Sequence, residues 1–158
     1  MTIGGSGGGG KIRESDRDGI SVIVPVYNSE GTLDALVQRL ETVLAPLASS
    51  REILLINDDS RDKSWNVIET ISRENPRVRG INLMRNYGQH NALLCGIRAA
   101  TLGTIITIDD DLQNPPEEIP KLLAKLGEGF DVVYGTPERH QHGLLRDMAS
   151  WTTKLVLQ

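Results

Sequence analysis

Ile20-Ser21-Val22-Ile23-Val24-Pro25-Val26 is the stretch on which the reading of the fold turns. Its apolar, β-branched residues follow one another without alternating with polar ones, so the strand they form must be buried on both faces. Such a strand needs a layer of chain on each side, and the residues after it begin to supply one. Leu33, Leu36, Val37, Leu40 and Leu44 recur at helical spacing and predict an amphipathic helix over 31–45, with Pro46 at its end. The alternation then repeats. Glu52 to Ile56 reads as a second strand, and Trp65, Ile68 and Ile71 mark a second helix that ends before Pro76. Residues 78–83 form a third strand of weaker pattern, and 89–101 a largely buried helix. Thr104 to Ile108 is a fourth strand, and 130–134 a fifth. Between these two, Asn114-Pro115-Pro116-Glu117 predicts a helix start, with Asn114 as N-cap and Glu117 in the capping-box position. Ile119, Leu122, Leu123 and Leu126 are its expected buried face. Strands alternating with helices, with no tight hairpin signal, define the fold class as α/β: a mostly parallel, Rossmann-like sheet with helices on both faces.

Composition narrows the partners. The chain has 158 residues, 39% hydrophobic and 24% charged, which suits a globular domain with a real core. Aromatics are 4% and the formal net charge is -4 with no long basic run, so nucleic acid is not an expected partner. Cys95 is the sole cysteine, which excludes an intrachain disulfide and a cysteine zinc site. Within Ala92-Leu93-Leu94-Cys95 it reads as buried filler. No stretch reaches the roughly 18 apolar residues of a membrane span, and these features fit a cytoplasmic chain. The glycine-rich opening and the polar run that follows it predict a flexible leader over 1–19, with the folded domain over 20–158.

In an open parallel sheet the ligand lies beyond the carboxyl ends of the strands. Strand one ends in Pro25-Val26-Tyr27-Asn28, strand two in Asn57-Asp58-Asp59-Ser60, and strand four in Asp109-Asp110-Asp111-Leu112-Gln113. Like charges as close as those of the aspartates repel by about 1–4 kcal/mol per pair at surface dielectrics. A divalent cation such as Mg²⁺ or Mn²⁺ would relieve this, because it takes one or two carboxylates together with phosphate oxygens. Strand parity would point Asp109 and Asp111 the same way and Asp110 elsewhere. The same triplet also suits an acidic turn ahead of a helix. Asn57 to Ser60 likewise reads either as a binding loop or as a cap for a helix starting near Lys63. Tyr27 could stack on a base or pack, and Arg85, with the following helix N-terminus, could receive a phosphate or lie on an ordinary turn. His90, His140 and His142 lack metal-ligand spacing and read as solvated. There is no Gly-x-Gly-x-x-Gly after strand one, no P-loop and no Gly-x-Ser-x-Gly elbow, which disfavours dehydrogenases, P-loop enzymes and serine hydrolases.

Val24-Pro-Val-Tyr-Asn28, Ile53-Leu-Leu-Ile-Asn-Asp58, Arg85-Asn-Tyr-Gly-Gln-His90 and Ile108-Asp-Asp-Asp-Leu-Gln-Asn-Pro-Pro-Glu-Glu118 together resemble the inverting family 2 glycosyltransferases of GT-A fold. Within these the chain looks most like the polyprenyl-phosphate glycosyltransferases, the group of dolichyl-phosphate mannose synthase and the undecaprenyl-phosphate aminoarabinose transferase. The resemblance implies a nucleotide-diphosphate sugar donor, Mg²⁺ or Mn²⁺, a polyprenyl-phosphate acceptor used in cell-envelope glycan synthesis, and a location on the cytoplasmic side of the membrane. It implies that Asp109 and Asp111 bind metal with Gln113 as a further ligand. Pro25, Tyr27 and Asn28 would then line the nucleotide, Asp58 would accept a hydrogen bond from the base, and Asp110, Arg85, Arg139 and Arg146 would surround the donor. Two departures stand out: Ser29 where the family often has Glu, and Asp59 where it often has Gly. Family members continue with an acceptor region carrying the catalytic base, so this chain is expected to lack both. Leu144, Met148, Trp151 and Leu155 would line an amphipathic helix left open at its end, favouring self-association. A non-catalytic nucleotide-binding module and a sugar-nucleotidyltransferase are the competing readings. The second would want a glycine-rich basic loop after strand one, which Tyr27-Asn28-Ser29 does not supply.

Overall fold

The computed structural model describes residues 19–135 and 156–157. Four parallel strands form its centre: β1 (Ile20–Val26), β2 (Arg51–Asn57), β3 (Val78–Asn82) and β4 (Thr104–Thr107). Four α-helices follow them in turn: α1 (Leu33–Leu44), α2 (Ser64–Glu74), α3 (Gln89–Ala99) and α4 (Ile119–Leu126), the last entered through a 3-10 turn at Pro116–Glu118. The strand order is β3-β2-β1-β4, so the chain winds outward from β1 to β3 and then crosses back to β4. That reversal between β1 and β4 is the switch point at which open α/β sheets bind ligands.

Every residue of β1 is buried, as its unbroken apolar run requires. Val22, Val24 and Val26, with Ile53 and Leu55 of β2, face a core built with α1, Ile68 of α2, and Ile119 and Leu126 of α4. Ile23, Leu54 and Ile56 face the opposite way, toward Ala92 of α3. The expected layers on both faces are therefore present. Gly96 sets how closely α3 approaches: a Cβ there would lie 2.3 Å from Ile23 Cγ2 and 3.2 Å from Ile56 Cγ1.

Five local expectations change. α3 is not largely buried: only Ala92 and Gly96 are, and Leu94 is exposed, because the helix rests on β1 and β2 along one side. Cys95 is accordingly half-buried at the edge of the second core rather than sealed within it. Asn114 caps nothing, since the first turn is 3-10 and opens at Pro115 without a side-chain cap. Glu117 does not act as a capping-box acid: its carboxylate makes a bidentate pair with Arg39 of α1, and that guanidinium, helped by a backbone N–H, lowers its pKa to about 2. The fifth strand shrinks to β5 (Val132–Val133), flanked by exposed Phe130 and Tyr134.

At the other end, Val156–Leu157 is not helical but forms β6, antiparallel to both β4 and β5. Pairing there satisfies backbone groups that β4 would otherwise leave open. Leu144, Met148, Trp151 and Leu155, like residues 1–18, lie outside the described residues. Gly19, read as the last residue of the leader, is buried, and its carbonyl accepts the Thr104 N–H at 3.0 Å.

Near the N-terminal ends of the central strands, remote from the crevice end, Glu52 is buried and its carboxylate ties four segments together. It accepts the Ser21 hydroxyl at 2.7 Å, the Thr101 N–H at 2.7 Å, the Thr101 hydroxyl at 2.8 Å and the Arg79 guanidinium at 3.0 Å. Burial alone would raise its pKa, but the hydrogen bonds from Thr101, Ser21 and Arg79 outweigh it and leave the group below the ordinary glutamate value.

Two outcomes follow for stability. Alanine favours a helix over glycine by about 1 kcal/mol, yet Gly96→Ala should destabilise the domain by about 1–3 kcal/mol through overpacking on Ile23. Urea unfolding checks this, and an unchanged or higher midpoint would mean that Ile23 can repack. Glu52→Gln should cost about 1–3 kcal/mol near neutral pH, as a charged acceptor of several bonds is lost. Because the folded pKa is lowered, that advantage is complete above the ordinary glutamate range and fades as the pH falls through it to the folded value. Unfolding curves of the two proteins should therefore converge in acid; a constant gap would assign the effect to packing.

Candidate active site

The ladder between β1 and β4 ends at Ile23 and Thr107, with one further bond from Ile108 N–H to Ile23 O at 3.1 Å. Pairing of β1 with β2 runs on to Val26 and Asn57, and Asp58 N–H donates to Val26 O at 2.9 Å. Backbone groups alternate between neighbours along a strand, so Val26 turns toward β2 while Ile23 and Pro25 turn toward β4. Pro25 has no N–H to offer there. The two strands consequently part at Pro25, and a crevice of about 320 Å³ opens between them.

Pro25, Val26 and Tyr27 of the β1 end line it, as do Asp58 after β2, Asn86, Gly88 and Gln89 at the start of α3, and Asp109, Asp110 and Asp111 after β4. The structure thus brings together Pro25, Tyr27, Asp58 and the three aspartates singled out from sequence. Tyr27 is 45% exposed, its ring left free of the core. Asn28 is not among the lining residues. Its backbone has φ 55°, its N–H donates to Ser60 Oγ at 3.0 Å, and its Oδ1 accepts the Arg61 N–H at 2.7 Å, so it braces one loop on another. Arg85 also stays outside the lining, its guanidinium 4.7 Å above the Tyr87 ring. Gln113 donates its backbone N–H to Asp111 Oδ1 at 3.0 Å, and its side chain is not part of the wall. Arg139 and Arg146, with His140 and His142, lie outside the described residues, while His90 is exposed as expected.

Strand parity does not orient the aspartates, because β4 stops at Thr107 and residues 109–111 form a turn, with Leu112 at φ 61°. Each carboxylate nevertheless has its own direction. Asp109 accepts Gln89 Nε2 at 2.8 Å across the crevice. Asp111 is exposed at the rim. Asp110 turns to the β1 end, where its Oδ2 accepts the Tyr27 N–H at 3.1 Å and the Ser29 hydroxyl. Among the described residues no three His, Cys, Asp or Glu side chains converge as a ready metal cage.

Asp58 is buried, and each of its oxygens takes a backbone N–H of the turn before α3: Tyr87 at 2.7 Å and Gly88 at 2.8 Å. Gly88 sits at φ 87°, a conformation open to glycine at little cost. The N-cap position of α2, Lys63, makes no side-chain cap bond; Asp62 just before it accepts the first-turn Ser64 N–H at 2.9 Å and the Ser64 hydroxyl at 2.6 Å, a role expected of the Asn57-to-Ser60 stretch. Burial would raise the Asp62 pKa, but bonds from Ser64 and Glu30 hold it below the ordinary aspartate value. Asn86 and Gln89 fall within the Arg85-to-His90 stretch of the resemblance, but were not singled out as site residues. Their neighbour Gly88, a glycine just before a helix, was the mark of the turn that carries them.

Residues 21–155 match the family described as Glycosyl transferase family 2, and the chain belongs to that family. Three solved structures illustrate the shared fold. S. aureus TarS 1-349 in complex with UDP aligns at 22% identity and TM-score 0.58, covering 82% of this chain and 38% of that one. Glucosyl-3-phosphoglycerate synthase from Mycobacterium tuberculosis, in complex with Mn²⁺, UDP and glucosyl-3-phosphoglycerate, aligns at 21% and 0.59, covering 73% and 42%. Mannosyltransferase PcManGT from Pyrobaculum calidifontis, in complex with GDP-Man and Mn²⁺, aligns at 19% and 0.54, covering 58% and 27%. The fold is GT-A-like, and the chain spans less than half the length of these three structures. Among the described residues no helix is long and apolar enough to cross a membrane.

Removing the Asp58 carboxylate should free the α3 entry turn. In Asp58→Ala, amide exchange at Tyr87 and Gly88 should accelerate by about tenfold or more, since a bond to a charged acceptor contributes about 1.5–3 kcal/mol. Unchanged exchange at both amides would show that the turn holds itself.

Proposed function

We propose that the crevice binds the nucleoside diphosphate of a sugar donor together with a divalent cation, as the donor-binding part of a glycosyltransferase. One observation carries this reading: Pro25, Tyr27, Asp58 and the Asp109–Asp111 turn line a single cavity at the switch point of the sheet. The half-exposed Tyr27 ring offers a face for a nucleobase, and Asp58 retains lone pairs for a donor on the base beyond its two backbone bonds. The N-terminal turn of α3 offers amides to the diphosphate, and its dipole favours the negative charge.

The donor set at the rim suits Mg²⁺ or Mn²⁺. Asp109 and Asp111 supply two carboxylates without a third, which matches ions that complete their shell with phosphate oxygens and water. Gln113, two residues further on, is the further ligand that the family likeness suggests; in the free chain its side chain stands off the crevice wall, so it would have to turn inward to reach a cation. When bound, such an ion stabilises charge on the departing diphosphate as a Lewis acid. The residues of the chain hold the base, fix the diphosphate against α3 and set the sugar at the open edge, where an acceptor oxygen can approach opposite the leaving group with inversion.

The acceptor class we favour is a polyprenyl phosphate, on the strength of the Asp109-to-Glu118 stretch and its likeness to that group. Arg139 and Arg146 are the candidates to meet its phosphate or the donor diphosphate, and the reaction would then lie on the cytoplasmic face of the membrane.

Calorimetry with UDP and GDP tests the donor reading. Binding should appear with Mn²⁺ or Mg²⁺ and weaken strongly with chelator. Asp111→Asn should lower affinity about tenfold or more, and more than Asp110→Asn, as a lost ligand of charge-assisted strength implies. Equal affinity with and without metal would remove the cation from the site. Binding without sugar transfer to undecaprenyl phosphate by a protein carrying the remaining family length would favour a non-catalytic module.

A further inference from the structure

We infer that Asp110 is a positioning residue, a latch that holds the β1–α1 loop and its Tyr27 at the mouth of the crevice, and not a metal ligand. This rests on the donor-site reading above for its consequence, but the latch itself is a property of the free chain. Asp110 gathers that loop at three points. Its Oδ2 accepts the Tyr27 N–H at 3.1 Å and the Ser29 hydroxyl, and its own carbonyl accepts the Thr32 hydroxyl at 2.7 Å. These bonds span the side of β1 where Pro25 has ended the strand ladder, so they replace backbone pairing that is absent there.

The rest of the loop is held from the other side. Asn28 N–H donates to Ser60 Oγ, Ser29 N–H to Ser64 Oγ at 2.8 Å, and Glu30 N–H to Asp62 Oδ2 at 3.1 Å. None of those contacts touches β4. Asp110 alone, among these partners, couples the loop bearing Tyr27 to the turn bearing Asp109 and Asp111. The Ser29 hydroxyl suits this contact chemically. A glutamate would set a second negative charge against Asp110, whereas serine donates a proton to it. The base-facing and metal-facing walls of the crevice are thereby held in one geometry before any ligand arrives, which lowers the ordering cost of binding.

The test compares Asp110→Asn, Asp110→Ala, Ser29→Ala and the Asp110→Ala/Ser29→Ala double variant in the full chain. The readouts are amide exchange at Tyr27 and calorimetry with UDP and Mn²⁺. The carboxamide oxygen of asparagine can sit where Oδ2 does and accept both the Tyr27 N–H and the Ser29 hydroxyl, so Asp110→Asn should hold UDP affinity within about threefold of wild type. Asp110→Ala should lose about tenfold, the equivalent of one lost bond to a charged acceptor. Tyr27 exchange should quicken about tenfold in Asp110→Ala and much less in Asp110→Asn. The double variant should bind no more weakly than Asp110→Ala alone, because both changes break the same link.

Failure of Asp110→Asn to rescue binding, with an altered Mn²⁺ dependence like that of Asp111→Asn, would make Asp110 a ligand and overturn the inference. So would multiplicative losses in the double variant, or unchanged Tyr27 exchange in Asp110→Ala. Should wild type bind neither UDP nor GDP, the donor reading fails, and the exchange data still decide whether the latch exists. If Asp110→Ala does not fold, Ser29→Ala with Thr32→Val probes the same link: quickened Tyr27 exchange supports it and unchanged exchange refutes it.

Discussion

A missing hydrogen atom shapes this domain. Pro25 lies on the side of β1 that faces β4 and has no N–H, so the central ladder stops there while β1 continues beside β2 for the rest of its length. The parting is therefore one-sided. It leaves a cleft with a buried strand as its floor and with the polar ends of four segments around it. Strands covered by helices on both faces have no other surface to offer, so the crevice is where the sheet can meet a ligand.

Opening a sheet in this way leaves backbone groups that need partners, and the chain supplies carboxylates for them. Asp58 takes two amides of the α3 entry turn, and Asp110 takes an amide and a hydroxyl of the β1–α1 loop. Glu52 does comparable service at the opposite, N-terminal end of the strands, where it ties β1, β2, β3 and the residues before β4. Asp58 and Glu52 are buried and Asp110 half-buried, and because a carboxylate withdrawn from water is costly when unpaired, each is paired chiefly with N–H and hydroxyl donors. The consequence at the crevice is rigidity: side chains that face a ligand are carried on loops already bonded to one another.

The aspartates after β4 show how similar residues divide their work. Their charges would repel if all three pointed into one space. Asp109 instead reaches across to Gln89, Asp111 stands at the rim, and Asp110 turns back to the loop. On the proposed reading, Asp109 and Asp111 are the pair that would meet a cation, while Asp110 braces the loop. Family membership and a GT-A-like fold agree with a crevice so arranged.

The sequence by itself determined the layers and the direction of the sheet. The unbroken apolar run of β1 required cover on both faces, and the helical spacing of Leu33 to Leu44 supplied it on one, with the helix over 89–101 on the other. It also marked the strand ends that meet in the crevice, since polar residues there have no place in a core. Tertiary structure decided the rest. Asn114 looked like a cap and is not one, and Glu117 pairs with Arg39, a residue 78 positions earlier that only folding brings near. Parity could not orient Asp109 to Asp111, because the strand ends before them and a turn sets their directions. The second core left Leu94 and half of Cys95 uncovered, as hydrophobic character reports what can be buried and not how much cover a fold supplies. Capping, pairing and side-chain direction are contests among partners distant in sequence, and only the assembled sheet settles which partner is close enough to win.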